Sequence, residues 1–267
     1  MRAAPWLLAA LVVSRLSGAE QAGHAVMPAY SAASLVNSAH NLAGGLAPNT
    51  IVTLYGENLA FETRGLSAAD LSGGRLPTTL TGTGVRVFVR NIPAGIYYVS
   101  PNQINLVIPG ELLPGAARLQ VVRDGRAGPE VEIRLRGAAP ALYQLDAETA
   151  IAVRPGGSLA TAEAPARPGE VIVLYATGLG EVVPPLAAGE IPRKAASLKR
   201  LAEFAVFLDG QAVEASDVLY AGVTPGFPGL YQINLRLPAS AGRNPEVRVA
   251  VGEELSPAGV RLAVEPN

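Results

Sequence analysis

Two diverged copies of one pattern run through the sequence, and this internal repeat limits the fold more than any other feature. Residues 48–59 match residues 168–179 at an offset of 120 positions (168 against 48). Residues 103–109 match residues 232–238 at an offset of 129 (232 against 103). The offset grows because the second copy carries a longer segment ahead of Gln232, and loops between strands tolerate such insertions. The repeat predicts two structural units of about 110 to 130 residues each.

Apolar and polar residues alternate within the repeated segments with the period of two that marks a half-buried strand. In the first copy Ile104, Leu106 and Ile108 share one face, whereas Gln103 and Asn105 share the other. The same alternation is present in residues 119–121, 131–135, 232–237, 247–251 and 260–264. Because strands do not alternate with helical patterns, we predict an all-β fold rather than a parallel sheet flanked by helices.

Turn residues separate the predicted strands. Asp-Gly pairs at residues 124–125 and 209–210 are typical of hairpin turns. Asn58 and Gly178 occupy equivalent positions after the first matched strand, and these two residue types most readily adopt a left-handed backbone conformation. We interpret this pair as a structural requirement for reversing the chain rather than as a binding site.

The predicted architecture is two tandem immunoglobulin-like β-sandwich domains, domain 1 at residues 27–137 and domain 2 at residues 138–267. The boundary falls in the small-residue and proline stretch 137–140. Because this linker is short, we expect the two sandwiches to be nearly fixed relative to each other. Residues 194–204 have the composition of a short helix, which we expect as an insert on domain 2.

Composition excludes several classes of protein. The chain has 267 residues and a formal net charge of −1, so it offers no basic stripe for nucleic acid or for an anionic membrane. It has no cysteine, which excludes disulfides, thiolate metal sites and a cysteine nucleophile. Its 29 glycines and 22 prolines suit many short strands joined by tight turns.

The N-terminal residues have the order of features of a secretory signal peptide. Arg2 supplies a positive charge, residues 6–13 form an apolar core, and residues 17–19 are small. We expect residues 1–19 to be cleaved off. Arg15 interrupts the apolar run, so the run falls short of the roughly 20 apolar residues of a spanning helix, and no later segment is long enough. We predict a secreted protein, extracellular or at the cell surface, with the periplasm as an alternative.

Residue types that carry catalysis or bind metals do not form a recognisable pattern. His24 and His40 are predicted to be exposed, because a metal site needs several converging ligands. Carboxylates that could pair as in a glycosidase lie mostly in turn-like stretches, where Asp is common for backbone reasons. These carboxylates are Asp70, Asp124, Glu130, Asp209 and Asp217. We predict no catalytic, metal-binding or cofactor-binding residues and no enzyme activity, with an enzyme site in loops between the domains as an alternative.

Two polar pairs recur in the repeat: Gln103 with Asn105, and Gln232 with Asn234. One hypothesis is that these amides recognise a ligand. The favoured interpretation is structural, because a shared fold would use the same amides in both copies to hold a neighbouring loop in place.

Two aromatic residues near the longer loop of the second copy are candidates for contact with a partner. Phe227 lies between two prolines that limit the loop's freedom, so less conformational entropy would be lost on binding. Aromatic anchors often dominate binding contacts. We predict Phe227 and Tyr231 as contacts to an unknown extracellular protein or glycan. The alternative is that Phe227 packs on the sandwich edge or against the first domain.

The repeated motifs resemble a known domain type. Residues 175–180 (Tyr-Ala-Thr-Gly-Leu-Gly) and residues 229–234 (Gly-Leu-Tyr-Gln-Ile-Asn) are its most specific pieces. The pattern is similar to the tandem C-terminal domain of secreted acidobacterial proteins, the Solibacter-type uncharacterized C-terminal domain. Each half also resembles immunoglobulin-like domains of the IPT/TIG type, through the Gly-x-Asn-Leu turn at residues 56–59. The resemblance spans about residues 31–264 and implies the tandem fold, but it implies no activity.

The sequence therefore predicts a non-catalytic extracellular module with a structural, adhesive or protein-interaction role. A carbohydrate-binding protein is the alternative. Fold alone does not choose between the two.

Overall fold

The structure, a computed structural model, describes residues 26–71 and 73–266 of the chain. The predicted signal peptide and His24 lie outside the described residues. Within them, the regular structure consists of β-strands and short 3-10 turns. These turns are Ala32–Ser34, Ala68–Asp70, Leu201–Glu203 and Ala215–Asp217. No helix in the described part of the chain has the length and apolar character needed to cross a membrane.

The first copy of the repeat forms two antiparallel sheets packed face to face. Its strands are β1 (Leu35–Asn37), β2 (Ile51–Tyr55), β3 (Arg64–Gly65), β4 (Val85–Val89), β5 (Ile92–Pro93), β6 (Gly95–Ser100), β7 (Gln103–Val107), β8 (Gly115–Arg123), β9 (Arg126–Ala127) and β10 (Val131–Leu135). One sheet has the order β1-β2-β7-β6-β3, and the other has the order β10-β8-β4-β5 with β9 paired to β8. Alternate residues of both sheets, such as Leu54, Val87 and Ile104, fill the core between them.

The second copy repeats this plan. Its strands are β11 (Ala141–Leu142), β12 (Ala152–Val153), β13 (Val171–Thr177), β14 (Val182–Val183), β15 (Ala196–Leu198), β16 (Phe204–Leu208), β17 (Gln211–Ala212), β18 (Val218–Val223), β19 (Tyr231–Arg236), β20 (Val247–Val251) and β21 (Glu254–Leu255). One sheet has the order β11-β13-β19-β18-β15-β14 with β12 paired to β13, and the other has the order β17-β16-β20-β21. Leu174, Val206 and Ile233 lie in the core between the two sheets.

The protein is therefore all-β, with two tandem immunoglobulin-like sandwiches, as the repeat predicted. Each copy completes its own sheets. Within the described residues, the one backbone bridge between the copies is the isolated pairing of Arg75 with Glu190.

The predicted turn conformations are also confirmed. Asn58 and Gly178 both have left-handed φ angles, 57° and 75° respectively. Both residues of the hairpin turns at 124–125 and 209–210 have positive φ, which matches the right-handed twist of the flanking strands.

The predicted helix at residues 194–204 is wrong. Ala196–Leu198 forms strand β15, which pairs with both β14 and β18, and Phe204 already begins β16. Only the single 3-10 turn Leu201–Glu203 separates these strands. Backbone pairing with neighbouring strands overrides the helix propensity of the segment.

A third apolar cluster joins the two sandwiches, and we call it the interdomain cluster. Its members from domain 1 are Ala39, Ile51, Leu76, Tyr97 and Val107, and those from domain 2 are Ala141, Tyr143, Ile151, Val153, Val173, Tyr175 and Leu230. Four of these twelve, Ile51, Val107, Val173 and Tyr175, are outward-facing residues of β2, β7 and β13, whose alternate residues fill the sandwich cores. The five-stranded sheet of domain 1 and the seven-stranded sheet of domain 2 therefore partly cover each other.

Candidate ligand-binding face

The longer loop of the second copy lies against domain 1. The Tyr97 hydroxyl donates to the Pro228 carbonyl at 2.8 Å. Gly229 has a φ of +76°, and a Cβ atom at this position would lie 2.8 Å from Ile51 Cγ1 and 2.9 Å from the Asn49 carbonyl oxygen. Leu230 belongs to the interdomain cluster. The insertion that distinguishes the second copy is therefore part of the contact between the domains.

Phe227 packs against the interdomain cluster and is partly buried. This is the arrangement that we gave as the alternative to partner binding. Because the ring is already in contact with the chain's own cluster, its role as an outside contact stays a prediction, with less of its surface open to a partner.

Tyr231 as a partner contact is wrong. Its side chain is 1% exposed and lies in the core of domain 2. Its hydroxyl donates to the Gly180 carbonyl, and burial raises the pKa of the phenol above its ordinary value. The alternation of β19 explains this placement, because Tyr231 has the same parity as the core residues Ile233 and Leu235.

The repeated amides lie on the outward faces of β7 and β19. Gln103 Nε2 donates to Asn105 Oδ1 at 2.8 Å, and Gln232 Nε2 donates to Asn234 Oδ1 at 3.3 Å. Asn105 is fully buried, whereas Asn234 is half-buried. The amides therefore bond along their own strand in both copies, which agrees with a structural role. The predicted contact to a neighbouring loop stays a prediction.

Asp70 is committed to a structural cluster. Its carboxylate accepts hydrogen bonds from the side chains of Arg64, Ser67 and Thr81, and from the backbone N–H groups of Ser67 and Thr81. The Ser67 hydroxyl bond is the main cause that holds the pKa of Asp70 well below its ordinary value. A carboxylate bonded this way is held in its charged form and fixed in place.

Two further candidate carboxylates also have structural partners. Asp209 Oδ1 accepts from the Glu246 backbone at 2.9 Å, and Asp217 pairs with Arg236 at 3.4 Å. His40 is half-buried rather than exposed, and burial lowers its pKa. Its Nδ1 atom accepts from the Leu42 backbone at 3.0 Å. No group of three or more His, Asp or Glu side chains in the described residues is placed to hold a metal ion.

The last two candidate carboxylates, Asp124 and Glu130, lie at the sheet of domain 1 that faces away from domain 2. Along β4 the residues Val85, Val87 and Val89 point into the core, so Arg86 and Phe88 point outward. On β8 the outward residues include Arg118, Gln120 and Val122, with Phe88 opposite Gln120 and Arg86 opposite Val122. We call the outward surface of Arg86, Phe88, Arg118, Gln120 and Val122 the Phe88 face.

Two cavities adjoin on the Phe88 face and share Val122. One, of about 250 Å³, is lined by Phe88, Asn91, Arg118, Gln120, Val122 and Glu130. The other, of about 550 Å³, is lined by residues that include Thr79, Thr81, Arg86, Val122 and Asp124. Together they form a groove with apolar surface at its middle and polar or charged side chains at its two ends.

Hydrogen bonds hold one end of this groove in place. Arg118 pairs with Glu130 at 3.0 Å, and both side chains are largely exposed. Gln120 Nε2 donates to the Gly128 carbonyl at 3.1 Å, which fixes the amide plane beside Phe88. At the other end, neither the Arg86 guanidinium nor the Asp124 carboxylate has a hydrogen bond or an ion pair to any described residue. Both side chains are exposed to solvent, with Oδ1 of Asp124 lying over Gly84.

Domain 2 carries a diverged counterpart of this face. Phe207 points outward from β16 and lies opposite Arg248, as Phe88 lies opposite Gln120. Ala205 and Ala250 form the cross-strand pair that corresponds to Arg86 and Val122. Arg248 is already bonded to the Ser256 carbonyl. The aromatic residue is thus common to both copies, whereas alanines in domain 2 take the positions of Arg86 and Val122.

Sequence reasoning missed the Phe88 face. The signal was present in the segment Val-Arg-Val-Phe-Val at residues 85–89, where an aromatic residue occupies an outward position. The parity alone does not show whether that face meets water or another sheet, so the alternation could not single out Phe88 in advance.

No protein-family model matches the sequence, and no match was found among the curated proteins. Solved structures with some likeness include the surface glycan-binding protein SGBP-B of the Bacteroides ovatus mixed-linkage glucan utilization locus, in complex with a mixed-linkage heptasaccharide. It is 13% identical, with 83% of this chain and 42% of that chain covered and a TM-score of 0.35. The chain thus spans less than half of that protein.

Two other structures are similar at the same low level. PbSGBP-B, a surface glycan-binding protein of Prevotella bryantii, is 9% identical, covers 89% of this chain and 42% of that chain, and has a TM-score of 0.28. A tandem pair of titin immunoglobulin domains is 7% identical, covers 84% and 92% of the two chains, and has a TM-score of 0.25. At these values the likenesses do not bear on what this chain binds.

Proposed function

We propose that the chain is a non-catalytic binding module that acts outside the cytoplasm and engages its ligand through the Phe88 face of domain 1. The groove on this face is the observation that carries the proposal. The signal-like residues 1–19 support export, and the adhesive or interaction role inferred from the sequence fits a surface-exposed groove.

The contact between the sandwiches supports a role for domain 2 as a rigid support that orients domain 1. The interdomain cluster and the docked loop around Gly229 fix the two sandwiches to each other. A rigid pair presents the Phe88 face in a defined direction, because little freedom is left at the short linker. Binding to such a face costs less conformational entropy than binding to a mobile loop.

The placement of the carboxylates supports a role without catalysis. Glu130 is largely exposed and forms an ion pair with Arg118 at the protein surface, so it does not have the apolar surroundings of a buried general acid. Asp70 is fully engaged in its own cluster. Asp124 is exposed in a turn and has no neighbouring acid or base at hydrogen-bond distance within the described part of the chain.

Surface plasmon resonance on the purified chain tests this proposal. The immobilised test ligands should include oligosaccharides, polysaccharides, purified peptidoglycan and fibrous proteins such as collagen. Phe88→Ala should remove the main response, and Phe207→Ala, the matched change on domain 2, should leave it intact. A main response that survives Phe88→Ala would place the ligand elsewhere, and product release from any bound compound would refute the non-catalytic assignment.

A further inference from the structure

The charged groups of the larger cavity restrict the chemistry of its ligand. Arg86 and Asp124 line the same space, yet they form no ion pair with each other or with any other described residue. An anionic ligand would satisfy the guanidinium and be repelled by the carboxylate, and a cationic ligand would do the reverse. A hydroxyl group donates and accepts, so a ligand rich in hydroxyl groups satisfies both side chains without a net charge.

The middle of the groove adds a second requirement. Phe88 and Val122 give it an apolar floor, and Val122 lines both cavities, so the two cavities adjoin at this residue. The face of an aromatic ring carries partial negative charge and attracts polarised C–H groups. A sugar ring combines an apolar C–H face with an edge of hydroxyl groups, which matches an aromatic floor flanked by polar side chains.

The two adjoining cavities offer separate places for more than one sugar ring. The polar groups of the groove occur at both ends, with Arg86 and Asp124 at one end and Arg118, Gln120 and Glu130 at the other.

We infer that the Phe88 face binds a linear, uncharged polysaccharide, with Phe88 beneath a sugar ring and Arg86 and Asp124 bonded to its hydroxyl groups. This inference rests on the proposed function and specifies its ligand class. Domain 2 provides the internal comparison, because the corresponding positions there are Ala205 and Ala250 and offer no charged pair.

Affinity electrophoresis and calorimetry with defined polysaccharides test the inference. The uncharged probes are hydroxyethyl cellulose, glucomannan, xyloglucan and dextran, and the acidic probes are polygalacturonate and alginate. We expect the chain to bind at least one uncharged probe and neither acidic probe. Binding should change little between low and high salt, since no net charge is neutralised.

Substitutions should then locate the site. Phe88→Ala, Arg86→Gln and Asp124→Asn should each weaken binding about tenfold or more, and Phe207→Ala should not. Asp124→Asn suits the turn, because Asn tolerates the positive φ of 46° at this position. Circular dichroism and melting temperature check that each variant is folded.

Three outcomes would overturn the inference: binding to the acidic probes alone, no binding to any uncharged probe, or binding that none of the three substitutions weakens. A collagen or peptidoglycan response lost on Phe88→Ala, without any response to uncharged polysaccharide, would overturn the ligand class while leaving the proposed function standing.

Discussion

The Oγ1 atom of Thr177 in domain 2 lies 2.8 Å from the backbone nitrogen of Ile51 in domain 1 and accepts its hydrogen bond. The same hydroxyl donates to the Gly229 carbonyl, also at 2.8 Å. Thr177 is fully buried, so neither partner could turn to water if the hydroxyl were removed. One side chain thus connects a strand of domain 1, a strand of domain 2 and the docked loop.

Thr177→Val should therefore destabilise the protein by about 1–3 kcal/mol, because it leaves a buried N–H and a buried carbonyl without their partner. Thr177→Ser is the matched control, since it keeps the hydroxyl and removes only a methyl group. Chemical denaturation measures the free energy of unfolding of both. Equal stability of the two variants would show that the hydroxyl does not hold the domains together.

Gly229→Ala should loosen the contact between the domains. The change puts a Cβ atom 2.8 Å from Ile51 Cγ1 and 2.9 Å from the Asn49 carbonyl oxygen, in addition to the strain of a positive φ. Gly226→Ala is the control, because Gly226 also has a positive φ but nothing within 4 Å of its added Cβ.

Both glycine variants should lose about 1–2 kcal/mol from backbone strain. Only Gly229→Ala should lose more unfolding free energy than this, and it should also show faster hydrogen exchange at β2 and at residues 229–231. Indistinguishable stability and exchange in the two variants would contradict the docked position of the loop.

Asn105→Ala should cost about 1–3 kcal/mol, because Asn105 is fully buried and its amide accepts from Gln103 at 2.8 Å. Asn234→Ala should cost less, since Asn234 is half-buried and its corresponding bond is 3.3 Å long. Thermal and urea unfolding report both changes. A larger loss for Asn234→Ala than for Asn105→Ala would reverse this order and contradict the burial argument.

The Asp70 cluster should make stability depend on acid pH. The pKa of Asp70 in the folded protein lies below the ordinary value of 3.8, mainly because the Ser67 hydroxyl bonds to the carboxylate. Its stabilisation is therefore complete above the ordinary pKa and is lost as the pH falls towards the folded-state pKa. The difference in unfolding free energy between wild type and Asp70→Asn should narrow as the pH drops below about 4.

Glu111→Gln, a change of an exposed carboxylate in the same domain, is the control for the pH series. If the difference in unfolding free energy between wild type and Asp70→Asn stays constant from neutral pH to about pH 3, Asp70 is not charged in the cluster.

The alternation of the sequence predicted several strands and their core-facing residues, among them β7, β10, β19 and β20. The predicted strand at residues 260–264 is wrong, because only isolated bridges form there, at Arg261 and Val264. Ile104 and Leu106 lie in the core as expected, and Asn58 has the expected left-handed φ. The run at residues 171–176 is apolar at every position, which is typical of strands buried on both faces. This run was the sequence signal of the interdomain cluster, but it does not say which sheet covers the second face.

The candidate site was less predictable. Phe227 and Phe88 are both aromatic and both outside the alternating core, yet one packs on the interdomain cluster and the other lines a groove. The difference depends on how the two sandwiches are oriented, which is a matter of contacts between residues more than a hundred positions apart. Local spacing carries no information on such contacts.

The interdomain cluster also decides which piece of this chain could be moved between proteins. Tandem sandwich domains are often treated as units that can be exchanged one at a time. In this chain, however, an isolated domain 1 would expose Ile51 and Val107 as apolar surface. An isolated domain 2 would expose Val173 and Tyr175. Such a fragment would be prone to self-association. The smallest transferable unit for recombination, fusion or display is therefore the pair.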